Sequence, residues 1–164
     1  MKPDETIMQP GGSDQGISKQ IRILVVEDVA NVATVLKTRL ESYNYEICDI
    51  ANTGRKAIDC ALHHKPDLIL MDIILEGDMN GIEAAEIISD KLDVPIIYLS
   101  CLNDQKVFDR AIKTNPYGYI LKPYDSSELR FSIENAIRIH RLDKKHKARI
   151  AELEKRCVDT DPST

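Results

Sequence analysis

The feature that most constrains the fold of this chain is a regular alternation of short apolar runs with segments of helical periodicity, repeated five times. Each apolar run has five to seven residues, which is the length of a buried β-strand. Between the runs, apolar residues recur every three or four positions, as they do on one face of an amphipathic helix. The predicted strands are residues 21–26, 45–51, 67–72, 95–100 and 117–121.

The segments between the strands carry helix signals of their own. Asn80 and Glu83 have the spacing of a capping box before the third helix, and Asp125 and Glu128 have the same spacing before the last helix. In the first helix, the apolar spacing predicts that the inner face comprises Val29, Val32, Ala33, Leu36 and Leu40.

Five strand–helix units predict an α/β fold with a doubly wound, five-stranded parallel sheet. The first, third and fourth runs are almost wholly apolar, as expected where helices cover both faces of a sheet. Right-handed crossovers then give a three-layer αβα domain, and five strands over about 120 residues suit the flavodoxin-like strand order 2-1-3-4-5. We expect a disordered leader, a single domain, and a basic extension of the last helix with a disordered tail, at residues 1–20, 21–139 and 140–164.

Composition excludes several classes of protein. With 43% hydrophobic and 30% charged residues, the 164-residue chain can form a buried core, and its net charge of −5 argues against direct nucleic-acid binding. No apolar run is long enough to span a membrane, and the first residues lack the apolar segment of a signal peptide. Four scattered cysteines without metal-ligand spacing indicate reduced thiols, so we expect a cytoplasmic location.

Polar residues follow four of the predicted strands at the points where those strands end. Glu27 and Asp28 follow the first strand, Asp72 and Ser100 end the third and fourth, and Lys122 follows the fifth. Because all carboxyl ends of parallel strands lie at one edge of the sheet, we expect these side chains to converge there.

Three carboxylates in one crevice repel each other and stay ionised only if cations compensate them. Lys122 supplies one positive charge, and an oxygen-rich site of this kind suits Mg²⁺ as the other cation. A metal, an ammonium and a hydroxyl together form a good receptor for a phosphoryl group, and a central aspartate is a candidate nucleophile.

The chain from about residue 21 to residue 139 resembles the receiver domain of response regulators, the CheY-like family of two-component signal transduction. Five motifs carry the resemblance, in the order and spacing of the family, whose members have the same strand order, 2-1-3-4-5. They are ILVVED (23–28), PDLILMDI (66–73), MNGIEAA (79–85), PIIYLS (95–100) and GYILKPYDSSEL (118–129).

The resemblance implies that Asp72 accepts a phosphoryl group from a phosphohistidine of a sensor histidine kinase or a phosphotransfer protein. It implies that Lys122 pairs with that group and that Ser100 senses it. Tyr119, three residues before the lysine, matches the aromatic residue that changes rotamer in the family's switch, although a core aromatic is an equal alternative. The Lys122–Pro123 bond matches one that is often cis.

The same resemblance implies a Mg²⁺ site. Asp28 and Asp72 are the expected direct ligands, Glu27 acts through water, and the backbone carbonyl of Ile74 completes the protein ligands. Such a protein is a phosphoacceptor that assists its own phosphorylation and dephosphorylation and is not a turnover enzyme. We expect output through partner binding, phosphorelay, or a homodimer formed by the last helix or by the face of the fourth helix, fifth strand and last helix.

Two departures from the family pattern bear on the lifetime of the phosphorylated form. The loop at residues 74–81 is one residue longer than the shortest family pattern. Ile74 and Leu102, two residues after Asp72 and Ser100, are apolar and border the path of the attacking water in related receivers. We therefore expect slow self-dephosphorylation.

Other functions fit the residues less well. A dehalogenase-type phosphohydrolase needs a second aspartate at position 74, where this chain has isoleucine, and a flavodoxin needs a phosphate loop that residues 28–31 lack. A receiver-like platform that is never phosphorylated usually loses an acidic residue or the lysine, and this chain keeps all of them.

The C-terminal extension allows two interpretations. Residues 138–156 contain eight basic and three acidic residues, and the apolar positions fall near a/d spacing over only two heptads. One interpretation is a solvated helix that frays beyond its contacts at Leu129, Ile133 and Ile137. The other is a helical connector that dimerises or leads to an output domain. All four histidines are expected to be solvated helix residues, namely His63, His64, His140 and His146.

Overall fold

The computed structural model describes residues 19–101 and 103–159. The predicted leader lies almost wholly outside this range, as do Leu102 and residues 160–164 of the predicted tail. The strands are β1 (Arg22–Val26), β2 (Glu46–Ala51), β3 (Leu68–Asp72), β4 (Ile96–Ser100) and β5 (Gly118–Leu121). The helices are α1 (Ala30–Ser42), α2 (Gly54–His64), α3 (Gly81–Lys91), α4 (Gln105–Ile112) and α5 (Ser126–Asp159).

The five strands form one parallel sheet in the order β2-β1-β3-β4-β5, which confirms the predicted topology. Successive residues of a strand face opposite sides, so each strand contributes to two cores. In β1, Ile23 and Val25 pack with α1 and α5, whereas Leu24 and Val26 pack with α2 and α3. The result is a three-layer αβα domain in which the strands are buried on both faces.

Local signals fix two of the helix starts as predicted. The side chain of Asn80 accepts a hydrogen bond from the backbone of Glu83, whose side chain in turn accepts one from the backbone of Asn80, so α3 begins with a complete capping box. Asp125 accepts a hydrogen bond from the backbone N–H of Glu128 at 2.8 Å, at the start of α5.

The predicted inner face of α1 is wrong at its first two positions. Ala33, Leu36 and Leu40 are buried, but Val29 and Val32 are 51% and 38% exposed. Val29 is the N-cap residue, so it precedes the first helical turn, and Val32 lies on the edge of the buried face. The apolar spacing alone did not show that the sheet ends before these residues.

The last helix is one continuous element of 34 residues. Leu129, Ile133 and Ile137 pack against the sheet as predicted, and the helix continues to Asp159. In the described part of the chain, no helix is long and apolar enough to cross a membrane.

Candidate functional site

The polar side chains singled out in the sequence lie together at the carboxyl edge of the sheet. Asp72 and Ser100 are the last residues of β3 and β4, and their backbones pair with Leu99 and Leu121 of the neighbouring strands. Glu27 directly follows β1, beside the end of β3. Glu27, Asp72 and Ser100 are all buried. The parallel arrangement of the strands therefore brings these three residues, which are far apart in sequence, to one edge of the sheet.

The ammonium group of Lys122 joins the two buried carboxylates. Its Nζ donates to Asp72 Oδ2 and to Glu27 Oε2, at 2.8 Å each. The side chain of Lys122 is only 17% exposed, so both ion pairs lie largely out of water. The backbone N–H of Lys122 donates to the carbonyl of Ser100 at 2.8 Å, and the following bond to Pro123 is cis, as expected. This backbone contact fixes the lysine at the end of β4.

Burial and charge shift two pKa values in this cluster. Burial raises the pKa of Glu27 above its ordinary value, although the hydrogen bond from Lys122 opposes the shift. Burial by itself would lower the pKa of Lys122, but its bonds to Asp72 and Glu27 outweigh that effect and raise it. Lys122 is therefore held in its charged form, where it can compensate negative charge on an incoming group.

Backbone N–H groups of the surrounding loops hold each carboxylate. Ile74 N–H donates to Asp72 Oδ1 at 3.0 Å, and Val29 N–H donates to Glu27 Oε1 at 3.2 Å. Asp28 Oδ2 accepts a hydrogen bond from Glu76 N–H at 3.1 Å, which ties the β1–α1 loop to the β3–α3 loop. The longer loop at residues 74–81 thus contributes directly to the site.

Glycine at position 81 sets the path of that loop. Its N–H donates to the carbonyl of Ile73 at 2.8 Å, and a Cβ added at this position would overlap the carbonyl oxygen of Asp72. Only glycine allows such a close approach of two backbones. The sequence did not show this contact, because the close approach involves a strand residue nine positions earlier in the chain.

Three carboxylates form a group that suits a metal ion. One oxygen each from Glu27, Asp28 and Asp72 lie within 4.8 Å of one another, with Asp28 more exposed than the other two. An all-oxygen donor set with one accessible carboxylate is the chemistry that Mg²⁺ prefers. The residues present therefore fit the predicted ion, with the carbonyl of Ile74 nearby in sequence as a further predicted ligand.

Tyr119 lies apart from the carboxylates, on β5 and next to α4. Its ring contacts Phe108 edge to face, with the ring centroids 5.0 Å apart. Its hydroxyl is buried and has no hydrogen-bond partner among the residues that the structure describes. A buried hydroxyl without a partner loses its hydration without compensation. The inward position of this ring therefore carries a desolvation cost at the hydroxyl.

Sequence reasoning missed a second polar cluster at the opposite edge of the sheet. The prediction that His140 is solvated is wrong, because α5 packs it against the domain and its Nε2 lies 2.9 Å from Asp93 Oδ1. Nearby, the hydroxyl of Tyr117 donates to Asp143 Oδ2 at 2.8 Å, and burial with this bond raises the pKa of Tyr117 to about 12. These contacts fix the first turns of the extension. Asp93 and Tyr117 come from loops whose position the sequence did not show.

The chain is similar to known proteins of one kind. The sequence profile of the response regulator receiver domain matches residues 23–134. The transcriptional regulatory protein PdtaR of Mycobacterium tuberculosis is 34% identical over 116 residues, which cover 71% of this chain and 56% of that protein. YdfI of Bacillus subtilis, also a transcriptional regulatory protein, is 35% identical over 118 residues, which cover 71% of this chain and 55% of that protein. The chain therefore spans about half the length of these relatives.

A solved structure agrees with this similarity. The signal receiver domain of a modulated diguanylate cyclase from Desulfovibrio desulfuricans superimposes with a TM-score of 0.72 at 35% identity. The superposition covers 76% of this chain and 98% of that one, so nearly all of that domain has its counterpart here.

Proposed function

Because this chain belongs to the response regulator receiver domain family, we propose that Asp72 accepts a phosphoryl group from the phosphohistidine of a sensor histidine kinase or a phosphotransfer protein. The observation that carries this proposal is the 2.8 Å contact between Lys122 and Asp72 at the end of β3. A carboxylate oxygen of Asp72 attacks phosphorus, the phosphorus–nitrogen bond breaks, and the imidazole of the donor leaves.

Each neighbour of Asp72 has a part in this reaction. Lys122 is held charged and compensates the negative phosphoryl oxygens. Asp28 and Asp72, with Glu27 and the carbonyl of Ile74, are the residues that would hold Mg²⁺. When bound, the ion supplies positive charge that neutralises the transferring group. The chain acts as a phosphoacceptor that assists its own phosphorylation and dephosphorylation, in the cytoplasm where such donors act.

The phosphoryl group then changes a surface remote from Asp72. Ser100 is fully buried at the end of β4, the strand next to β3, and its hydroxyl would bond the new group. Its displacement would open space that the Tyr119 ring can enter, and the hydroxyl of that ring, which has no partner among the described residues, favours a change of position. Tyr119 lies under the surface formed by α4, β5 and α5, which we call the α4–β5–α5 face and which exposes Phe108, Ile112 and Leu121.

We assign to the phosphodonor the surface formed by the exposed valine at the N-cap of α1 and the exposed valines that follow it in the helix. Val29 follows Asp28 directly, so the start of α1 adjoins the site, and Val29, Val32 and Val35 are 51%, 38% and 59% exposed. A donor must bring its phosphohistidine to Asp72, and an apolar patch at the rim of the site can hold it there.

The test is phosphorylation with a small-molecule donor. The chain is incubated with acetyl phosphate and Mg²⁺, and the intact mass is compared for wild type, Asp72→Asn and Asp78→Asn. Asp78 is the control, because it is an exposed acidic residue of the β3–α3 loop. We expect one phosphoryl adduct in wild type and Asp78→Asn, and none in Asp72→Asn or with chelator. An adduct that persists in Asp72→Asn would refute the proposal. The absence of an adduct in wild type, together with no response of wild type to beryllium fluoride, would also refute it.

A further inference from the structure

The second half of α5 extends beyond the core of the domain. From Lys144 to Val158 every side chain is exposed, including Ile150 and Leu153, which are 55% and 49% exposed. The helix is about 51 Å long at 1.5 Å per residue, and less than half of it continues beyond the domain. An isolated helix of this remaining length is marginal in water, so another surface is needed to stabilise it.

The apolar residues of this segment follow an 11-residue repeat. Residues 139–149 and 150–160 each have isoleucine at the first position and leucine at the fourth, followed by His146 or Cys157 at the eighth. A heptad repeat would instead place Arg149 and Arg156 in the core. Eleven residues in three turns keep a straight stripe on a helix. We call these positions the stripe, and its members are Ile139, Leu142, His146, Ile150, Leu153 and Cys157.

The stripe does not face the domain. The domain-facing side of α5 comprises Leu129, Ile133 and Ala136, continued by His140, which pairs with Asp93. At 100° per residue, the centre of the stripe lies about a third of a turn away from this side. Contacts with the domain therefore fix the rotation of the helix and leave the stripe accessible to another molecule.

The charges beside the stripe select the direction of a second helix. Asp143 and Glu154 lie on one flank, and Lys145 and Arg149 lie on the other, where Glu152 is already paired with Arg156 at 2.9 Å. In a parallel pair opposite flanks meet, so that Arg149 of one helix is beside Glu154 of the next, whereas in an antiparallel pair like charges meet. Lys147, on the acidic flank, instead lines a cleft with Asp93 and Tyr117.

We propose that the segment Ile139–Asp159 pairs through the stripe with the same segment of a second copy of this chain, in a parallel two-stranded coiled coil. The pairing uses no residue of the Asp72 site and none of the α4–β5–α5 face, so it exists before phosphorylation and does not depend on the function proposed above. It holds two receiver domains side by side at the same end of the coiled coil.

Disulfide cross-linking of the full chain tests both the contact and its direction. Cysteine is introduced singly as Leu142→Cys, Leu153→Cys or Ala151→Cys, with Cys101→Ser and Cys157→Ser as the background. A parallel pair brings each stripe position next to its own copy, so both stripe variants should form disulfide dimers about tenfold faster than Ala151→Cys. Cross-linking at only one stripe position would indicate an antiparallel pair, and equal rates at all three positions would indicate no such pair; either result overturns the proposal.

Sedimentation equilibrium measures the association itself. Wild type and Asp72→Asn should both be dimers, and Ile150→Glu with Leu153→Glu should weaken association about 100-fold, whereas Ala151→Glu should not. Circular dichroism checks that the domain remains folded in each variant. A monomeric wild type, a trimer, or a dimer that survives the double substitution would overturn the proposal. If the phosphorylation test failed but Asp72→Asn still formed dimers with the expected dependence on the stripe, the proposed pairing would remain supported.

Discussion

The ammonium of Lys122 lies 2.8 Å from a carboxylate oxygen of Asp72, although the two residues are 50 positions apart in the chain. The same ammonium is 2.8 Å from Glu27. One cation thus compensates two buried carboxylates from different strands, and this arrangement links the stability of the domain to its chemistry.

Removing that cation should destabilise the domain. In Lys122→Met, Asp72 and Glu27 remain buried without their partner, and we expect a loss on the order of 2 kcal/mol, less than for a fully buried pair because Lys122 is partly exposed. Urea unfolding with chelator measures the loss. Mg²⁺ should restore part of it by replacing the missing charge. Lys106→Met, at an exposed position, is the control, and equal stability of the two variants would contradict the prediction.

A methyl group at position 81 should disturb the site by displacing the β3–α3 loop. In Gly81→Ala the new Cβ overlaps the carbonyl oxygen of Asp72, so the β3–α3 loop must shift. We expect a loss of more than about 2 kcal/mol and slower phosphorylation by acetyl phosphate. Gly77→Ala serves for comparison, because its Cβ meets no atom of the described residues within 4 Å and only its φ of +108° is unfavourable. If Gly81→Ala cost no more than Gly77→Ala, the close approach would not matter.

Deleting the hydroxyl of Tyr119 should stabilise the unphosphorylated domain. The hydroxyl is buried without a partner among the described residues, so Tyr119→Phe removes an uncompensated desolvation cost of about 1 kcal/mol. Tyr98→Phe is the matched control, since its hydroxyl bonds Thr114 at 2.8 Å and its loss should destabilise by about 1 kcal/mol. Thermal unfolding of both variants decides, and the prediction fails if they shift in the same direction.

The phosphorylated form should be long-lived. Ile74 is 51% exposed at the edge of the site, where an apolar side chain hinders the attack of water on the phosphoryl group. Leu102, the other apolar residue named in the sequence analysis, lies outside the described residues. We expect a half-life well beyond seconds, and a faster loss of the phosphoryl group in Ile74→Asn. Release of phosphate from the purified adduct gives the rate, with Val35→Asn on exposed α1 as the control. A half-life of seconds in wild type would disprove slow self-dephosphorylation.

The contact between Asp93 and His140 should make stability depend on acid pH. The hydrogen bond with His140 lowers the pKa of Asp93 below its ordinary 3.8, and Lys144 and Lys147 act in the same direction. A lowered carboxyl pKa stabilises the fold above that ordinary value, and the contribution disappears as pH falls through the native pKa. Wild type should therefore be more stable than Asp93→Asn at pH 6, by less than about 1 kcal/mol at this exposed group. The difference should vanish in acid; a difference that grows instead would be inconsistent with this assignment.

Much of the fold was predictable because its signals are local. The apolar runs and the Asn80–Glu83 capping box predicted the five strands and the start of α3, and the resemblance to the receiver family supported the strand order; the structure confirms all three. The site residues were predictable for a related reason. Polar side chains at strand ends must meet at one edge of a parallel sheet, whatever the details of packing.

Other features depended on contacts between distant parts of the chain. The sequence placed Val29 and Val32 inside and His140 outside, and the structure reverses all three, because burial is set by where the neighbouring sheet and loops end. The need for glycine at position 81 and the buried position of the Tyr119 hydroxyl likewise emerge only when β3, α3, α4 and β5 are packed.

The sequence by itself determined the strands and the residues at the carboxyl edge of the sheet, because periodicity and strand-end polarity are properties of short segments, and the motifs shared with the receiver family added the strand order. Only the tertiary structure decided that one lysine bridges two carboxylates, that His140 is bound to Asp93, and which side of α5 remains exposed. These outcomes depend on distances between side chains that are far apart in sequence, and such distances are set only when the layers pack.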